Sequence, residues 1–250
     1  MNFYPIFKKE LRAYFVSSTL YIILTIFLVL SGYFFFTDLI YYNEMNIGGT
    51  LDPTKGLWIY YFNDLRFVLM LLMPFITMRL LAEEKKLGTF ELITTYPIRD
   101  AELVVGKYLA CMLVFMLMLA LTFLNVLYWG ALWGFSGLQP LLAGYLGIFL
   151  LGCALISCGI FISSLSENQL VAGMATLGIF IFFWFLTWNE LMASEQLIGV
   201  LVRLSLFDRI EYFFKGVLDT KDMVFFVLFI FFFLYLTLCS LGARHWRGKK

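Results

Sequence analysis

The residues able to do chemistry in this 250-residue chain are few and bunched. Glu83, Glu84, Lys85, Lys86, Glu91, Arg99, Asp100 and Glu102 lie between Arg79 and Lys107, one polar stretch in an otherwise apolar sequence. Carboxylates and cations spaced like this form charge-assisted pairs, either between helices or with a partner surface. Catalytic combinations are missing. His245 is the single histidine and sits in the basic C-terminal tail, so haem ligation, zinc ligation and histidine acid–base chemistry have little to build on. Neither an HExxH nor a Gly-x-Ser-x-Gly motif occurs. Gly106-Lys107 looks like the end of a phosphate loop, but Ala101 stands where that motif needs Gly, and Tyr108 where it needs Ser or Thr. The sequence therefore predicts no catalytic residue, no metal site and no cofactor bound by this chain. Energy for any work must come from a partner. Cys111, Cys153, Cys158 and Cys239 all fall in apolar runs and read as small hydrophobes.

The elements that hold the polar stretch are membrane helices. Hydrophobic residues make up 62% of the chain and charged ones 14%, against about 45–50% and about 25% in soluble domains. So few charges cannot cover a surface carrying 29 Phe, 14 Tyr and 6 Trp, unless lipid covers it. The net charge of +1 argues against a polybasic nucleic-acid binder. Charge-free gaps separate Arg12 from Asp38, Lys107 from Glu167, Glu167 from Glu190 and Asp222 from Arg244. A span needs about 20 apolar residues, and the longest gap holds two joined by a Gly- and Pro-containing turn at 133–140. Six spans are predicted, at roughly 17–41, 58–82, 104–132, 140–163, 169–190 and 222–243, in one all-α integral membrane domain over 1–250. The first span is too long for a signal-peptide core and no small-x-small site follows it. The runs are continuous rather than alternating, which disfavours a barrel.

Six spans put both termini on one side. Twelve of the 18 basic residues fall on that face and the 79–107 loop, against seven acidic ones; the other face has six basic and ten acidic. The split of +5 and −4 predicts cytoplasmic termini and a cytoplasmic 79–107 loop. Residues 3–15 place Phe3, Phe7, Leu11, Tyr14 and Phe15 on one face and Lys8, Lys9 and Arg12 on the other, as an interfacial amphipathic helix does. Residues 197–217 carry apolar residues at spacings of three and four, predicting one or two short helices dipping into the outer interface before span six.

Within the polar stretch, span two is predicted to extend beyond the membrane until Gly88 breaks it. Thr89 then caps a helix of about two turns, and Pro97 ends that helix. Such a helix suits a groove on a soluble partner; the plainer reading is a solvated loop. Glu10 falls in the apolar arc of its helix and is predicted to pair with Arg79 or Lys107, or else to rotate into solvent. Asp64 and Arg66 lie at membrane depth, as functional candidates or as residues snorkelling to the outer interface. The Phe-rich stripes at 180–185 and 225–233 read as lipid-facing bulk, and the tryptophans mostly as aromatic belts at span ends. Gly144, Gly147, Gly152 and Gly159 make span four a candidate packing seam.

The polar stretch resembles the hallmark of ABC-2-type transporter permeases. It matches at Arg79, Ala82, Glu83, Glu84, Lys85, Lys86, Gly88, Thr89, Glu91, Leu92, Pro97, Glu102, Gly106 and Lys107, with Ile93 where the family has Leu. The likeness extends over the chain: Lys9-Glu10-Leu11-Arg12 with Tyr14-Phe15, the run Ser163 to Gln169 as a loop between spans four and five, Leu206 to Asp219 before span six, and the ending Arg244-His245-Trp246. It is most similar to the subgroup of gliding-motility-associated permeases of Bacteroidetes, with nitrous-oxide-reductase maturation permeases near.

The resemblance implies an exporter half in a bacterial cytoplasmic (inner) membrane. A second permease copy or related subunit pairs with it, and two copies of a cytosolic ABC ATPase, carrying ATP and Mg, dock on the short helix after span two. Carried onto this chain, the docking element runs from Glu83 to Pro97, with Glu84, Gly88, Thr89, Glu91 and Leu92 as contacts. The alternative is a non-transporting scaffold that recruits a cytosolic protein through the same loop.

Overall fold

The computed structural model describes residues 3–45, 53–89, 99–133, 138–185 and 205–243. These form ten helices in chain order: α1 (Phe3–Val16), α2 (Ser18–Met45), α3 (Pro53–Thr77), α4 (Arg79–Lys86), α5 (Asp100–Trp133), α6 (Leu138–Leu165), α7 (Gln169–Phe185), α8 (Leu206–Arg209), α9 (Glu211–Phe214) and α10 (Thr220–Gly242). No strand occurs among the described residues. Five stretches are long and apolar enough to cross a bilayer: Ser18–Glu44, Gly56–Lys86, Asp100–Ala131, Gln139–Leu165 and Thr220–Gly242. The chain is a multi-pass membrane protein. The span expected at 169–190 is described only as α7, an apolar helix that ends at Phe185; its last residues lie outside the described residues.

Helix α6 is the centre of the bundle. It packs against α3, α5, α7, α9 and α10, and its glycines explain why. An added Cβ would lie 2.1 Å from the Phe62 ring at Gly144, 2.1 Å from the Phe115 ring at Gly152 and 2.3 Å from Thr77 Oγ1 at Gly159. Only a bare backbone admits these neighbours at that range, which is how membrane helices gain dispersion contact without a hydrophobic driving force. A polar network ties α2, α3, α5 and α6: Ser31 Oγ and Tyr61 Oη are 2.8 Å apart, Asn125 Nδ2 donates to both, and Thr122 Oγ1 lies 3.1 Å from Tyr145 Oη.

Three expectations are corrected by this packing. Of the segment before α10, residues 197–204 lie outside the described residues, and the rest turns its apolar face to protein rather than to lipid. Leu206, Phe207, Ile210, Phe213 and Phe214 are all buried, with Phe214 stacked on Phe62 and Phe213 against Gly147. The apolar spacing that could have faced lipid is consumed by α3, α6 and α7 instead. The Phe stripes are divided rather than uniformly lipid-facing: Phe182, Phe231 and Phe232 are exposed, but Phe180 and Phe226 are fully buried. Trp58 and Trp129 sit near helix ends yet are buried with ring centroids 6.3 Å apart, so they are core rather than belt. Of the cysteines, Cys111, Cys153 and Cys158 are buried and Cys239 is exposed.

Candidate functional site

The polar groups converge where α1, α4 and the first turns of α5 meet. Helix α3 stops at Thr77, and α4 starts at Arg79 as an arm of eight residues that leads towards residues 90–98, which lie outside the described residues. The N-terminal helix does not lie free against a leaflet. Its residue Ile6 is buried against Gly106 of α5, where an added Cβ would be 3.0 Å from Ile6 Cγ2. That contact turns the apolar arc of α1, Glu10 included, towards the protein.

Lys107 is the hub. Its side chain is 1% exposed, with Nζ 2.9 Å from Glu10 Oε1 and 2.9 Å from Glu84 Oε2. The first contact is an aligned hydrogen bond; the second is an ion pair without one. Lys9 approaches Glu84 Oε1 at 3.4 Å from the solvent side. Two carboxylates and two ammoniums therefore balance, and one fully desolvated cation bridges three helices. Such a pair is weak evidence for stability, because desolvation offsets the attraction. It is strong evidence for geometry, because either carboxylate left without the ammonium is a buried charge.

Arg79 is engaged elsewhere. Its Nε lies 3.2 Å from Glu83 Oε2, and its Nη1 donates to Ser17 Oγ at 2.9 Å. The arm is thus tied to α5 through Glu84 and to the α1–α2 junction through Arg79. At its far end Lys85 Nζ donates to the carbonyl of Ser164, the last turn of α6, where the helix dipole favours a cation. Gly88 closes the arm with φ +69°, and its N–H bonds the Lys85 carbonyl. That left-handed C-cap is the conformation glycine adopts without penalty. Thr89 Oγ1 donates back to the Glu84 carbonyl at 3.3 Å. Glu91, Leu92 and Pro97, with the short helix expected there, lie outside the described residues.

Tyr14 and Ser163 reach the same junction without having stood out as site residues in the sequence. Tyr14 Oη donates to the Ile76 carbonyl at 3.2 Å. Burial, reinforced by the neighbouring Cys111, pushes the Tyr14 phenol well above its ordinary pKa, so it remains a protonated donor. Ser163 Oγ contacts the start of the arm itself. Ser163 and Ser164 belong to α6, which continues to Leu165, so the loop after it begins at Ser166.

At the opposite end of the bundle, Arg66 is held by protein groups. Its side chain is 14% exposed, Nη1 donates to the Phe207 carbonyl at 2.7 Å, Glu211 lies 3.8 Å away, and the guanidinium covers the Trp184 ring at 4.9 Å. Asp64 is half-buried beside Asp38 of α2, whose buried Oδ2 has no hydrogen-bond partner among the described residues. No group of three or more His, Cys, Asp or Glu able to hold a metal occurs among the described residues.

Among known families, the model described as ABC-2 family transporter protein matches residues 4–198. That range contains α1 from its second residue, α2 to α7 and the whole charged junction. No curated protein matches the chain.

Proposed function

The chain belongs to the ABC-2 family of transporter proteins and is a permease subunit of an ABC transporter; on that premise we propose that it couples ATP hydrolysis by a separate cytosolic ATPase to export or conformational work across the membrane. The observation that carries this reading is the buried Lys107, which clamps the arm through Glu84 and the N-terminal helix through Glu10. A segment that must transmit force cannot hang from a floppy loop. Here the arm preceding it is fixed at both ends, by Arg79 at its start and by Glu84, Lys85 and Gly88 towards its finish.

In this reading the charged junction faces the cytoplasm, as the excess of basic residues there favours, and both termini do too. Residues 83–97 dock the ATPase, with Glu83, Glu84, Gly88, Thr89, Glu91, Leu92 and Pro97 in or beside the contact. ATP and Mg are held by that partner, in two copies. Residues 169–190 complete a sixth span, and a second permease copy or a related subunit pairs with this one in a bacterial inner membrane. The sequence likeness to gliding-motility-associated permeases supports a place in that subgroup.

The test is co-expression with a cytosolic ABC ATPase from the same genome. The ATPase is expected to co-purify, and the complex to hydrolyse ATP at a rate that falls at least tenfold in Glu91→Ala. Hydrolysis at the wild-type rate in Glu91→Ala and Gly88→Pro alike would overturn the docking assignment, and binding without any change in hydrolysis would favour a scaffold.

A further inference from the structure

The hydrogen-bond ladder of the helix that carries the arm is interrupted at a defined place, and a side chain from another helix sits in the break. The break falls at Met78, between α3 and α4, where the backbone itself keeps helical torsions of φ −56° and ψ −29°. In an unbroken helix the Ala82 N–H would donate to the Met78 carbonyl. Here Ser163 Oγ stands between them: it donates to the Met78 carbonyl at 3.0 Å and accepts from Ala82 N–H at 3.0 Å. It accepts from Leu81 N–H as well, at 3.1 Å. Met78 itself offers no side-chain cap, so the hydroxyl takes over that role from 85 residues away. A side chain inserted into the i to i−4 ladder is one of the few identified causes of a sharp helix bend.

The surroundings hold the wedge in place. Ser163 is fully buried. One turn earlier on the same helix, Gly159 is bare against Thr77, so α6 and the end of α3 touch backbone to side chain. Tyr14 takes the Ile76 carbonyl on the other flank, and Ser164 offers its carbonyl to Lys85. The last turn of α6 therefore grips the arm at its first and last turns.

We propose that Ser163 is a positioning residue: its hydroxyl, inserted between Met78 and Ala82, sets the angle at which the arm Arg79–Lys86 leaves the membrane span. This rests on the reading that the arm presents the ATPase-docking segment, and it adds that α6 governs the presentation. A movement of α6 along its axis would withdraw the wedge and loosen the Met78 junction, swinging the arm. An arm of eight residues is about 12 Å long, so a change of about 20° moves its tip by about 4 Å.

Spin labels at Lys86→Cys and Tyr33→Cys, both exposed positions, in a Cys239→Ser background report the arm angle in the complex with the ATPase. Ser163→Ala is expected to shift or broaden that distance by about 4 Å, and to speed amide exchange at Leu81 and Ala82 by about five- to tenfold. Ser163→Thr, which keeps the hydroxyl, is expected to restore both. An unchanged distance and unchanged exchange in Ser163→Ala would overturn the wedge, as would equal disturbance by Ala and Thr. If the arm moves in Ser163→Ala while ATP hydrolysis stays at the wild-type rate, the wedge stands and the docking assignment falls. A fall in hydrolysis that Ser163→Thr reverses supports both.

Discussion

Arg66 and Phe207 are 141 residues apart, yet the guanidinium of one donates to the backbone carbonyl of the other at 2.7 Å. A cation within an apolar helix thereby holds α8 in place. An ion pair adds to it from the same segment: Arg209 lies 2.6 Å from Asp222 at the start of α10, over the Phe225 ring at 4.1 Å. Together the two arginines fasten the α8–α9 segment to α3 and α10.

Replacing Arg66 with Met keeps the apolar stem and removes the donors. The buried Phe207 carbonyl then loses a charge-assisted partner, which costs about 2 kcal/mol. Amide exchange over residues 205–216 is expected to rise about tenfold or more. Glu211→Gln is expected to change little, because Glu211 is 3.8 Å from Arg66 and its side chain is 45% exposed.

Lys107→Met should be far worse than Lys9→Ala, although both residues face Glu84. Lys107 is 1% exposed and serves two carboxylates; Lys9 is 62% exposed and serves one. Loss of the buried partner is expected to cost about 3–5 kcal/mol, and loss of the surface one under about 1 kcal/mol. Thermal unfolding in detergent measures both. Adding Glu10→Gln and Glu84→Gln to Lys107→Met should recover most of the loss, since no buried charge is then left unpaired.

At the centre of the bundle, Gly152→Ala places a methyl 2.1 Å from the Phe115 ring, whereas at Gly178 nothing lies within 4 Å. The first change is expected to lower stability by about 1–3 kcal/mol and the second to be tolerated. Gly152→Ala combined with Phe115→Leu should regain part of the loss, because the clash is with that one ring. The readout is again the unfolding temperature.

Gly88→Ala forces a Cβ into a left-handed backbone at φ +69°, a cost of about 1 kcal/mol. There is open space around the position, so sterics outside the backbone do not contribute. Gly88→Asn, which adopts this conformation more readily, should behave nearly as wild type. Capture of the co-expressed ATPase, expected to weaken several-fold in Gly88→Ala and little in Gly88→Asn, separates the two.

Helix placement was legible because lipid imposes a length and a composition. The predicted spans at 17–41, 104–132, 140–163 and 222–243 each lie within two residues of, or inside, α2, α5, α6 and α10. Their glycines pointed to α6 as the seam for the same reason, since close helix approach needs small side chains. The charged stretch was legible as a site because charge is rare elsewhere in the chain. Periodicity also found the apolar residues of 206–214, but an apolar face reads the same whether lipid or protein covers it. Only the fold showed Phe62, Gly147 and Trp184 waiting for them.

By itself, then, the sequence determined the solvent, the lengths and the ends: a run of apolar residues has one stable form in a bilayer, and its charged flanks choose a side. The tertiary structure decided the pairings. Nothing near Ser163 in sequence distinguishes it from Ser164 or Ser166, yet only Ser163 meets the Met78 carbonyl. Lys107 could have taken any of several carboxylates, and it takes Glu10 and Glu84. Hydrogen bonds and ion pairs act over a few ångströms, so their partners are set by which helices pack together, and that is written in the whole chain rather than in any one motif.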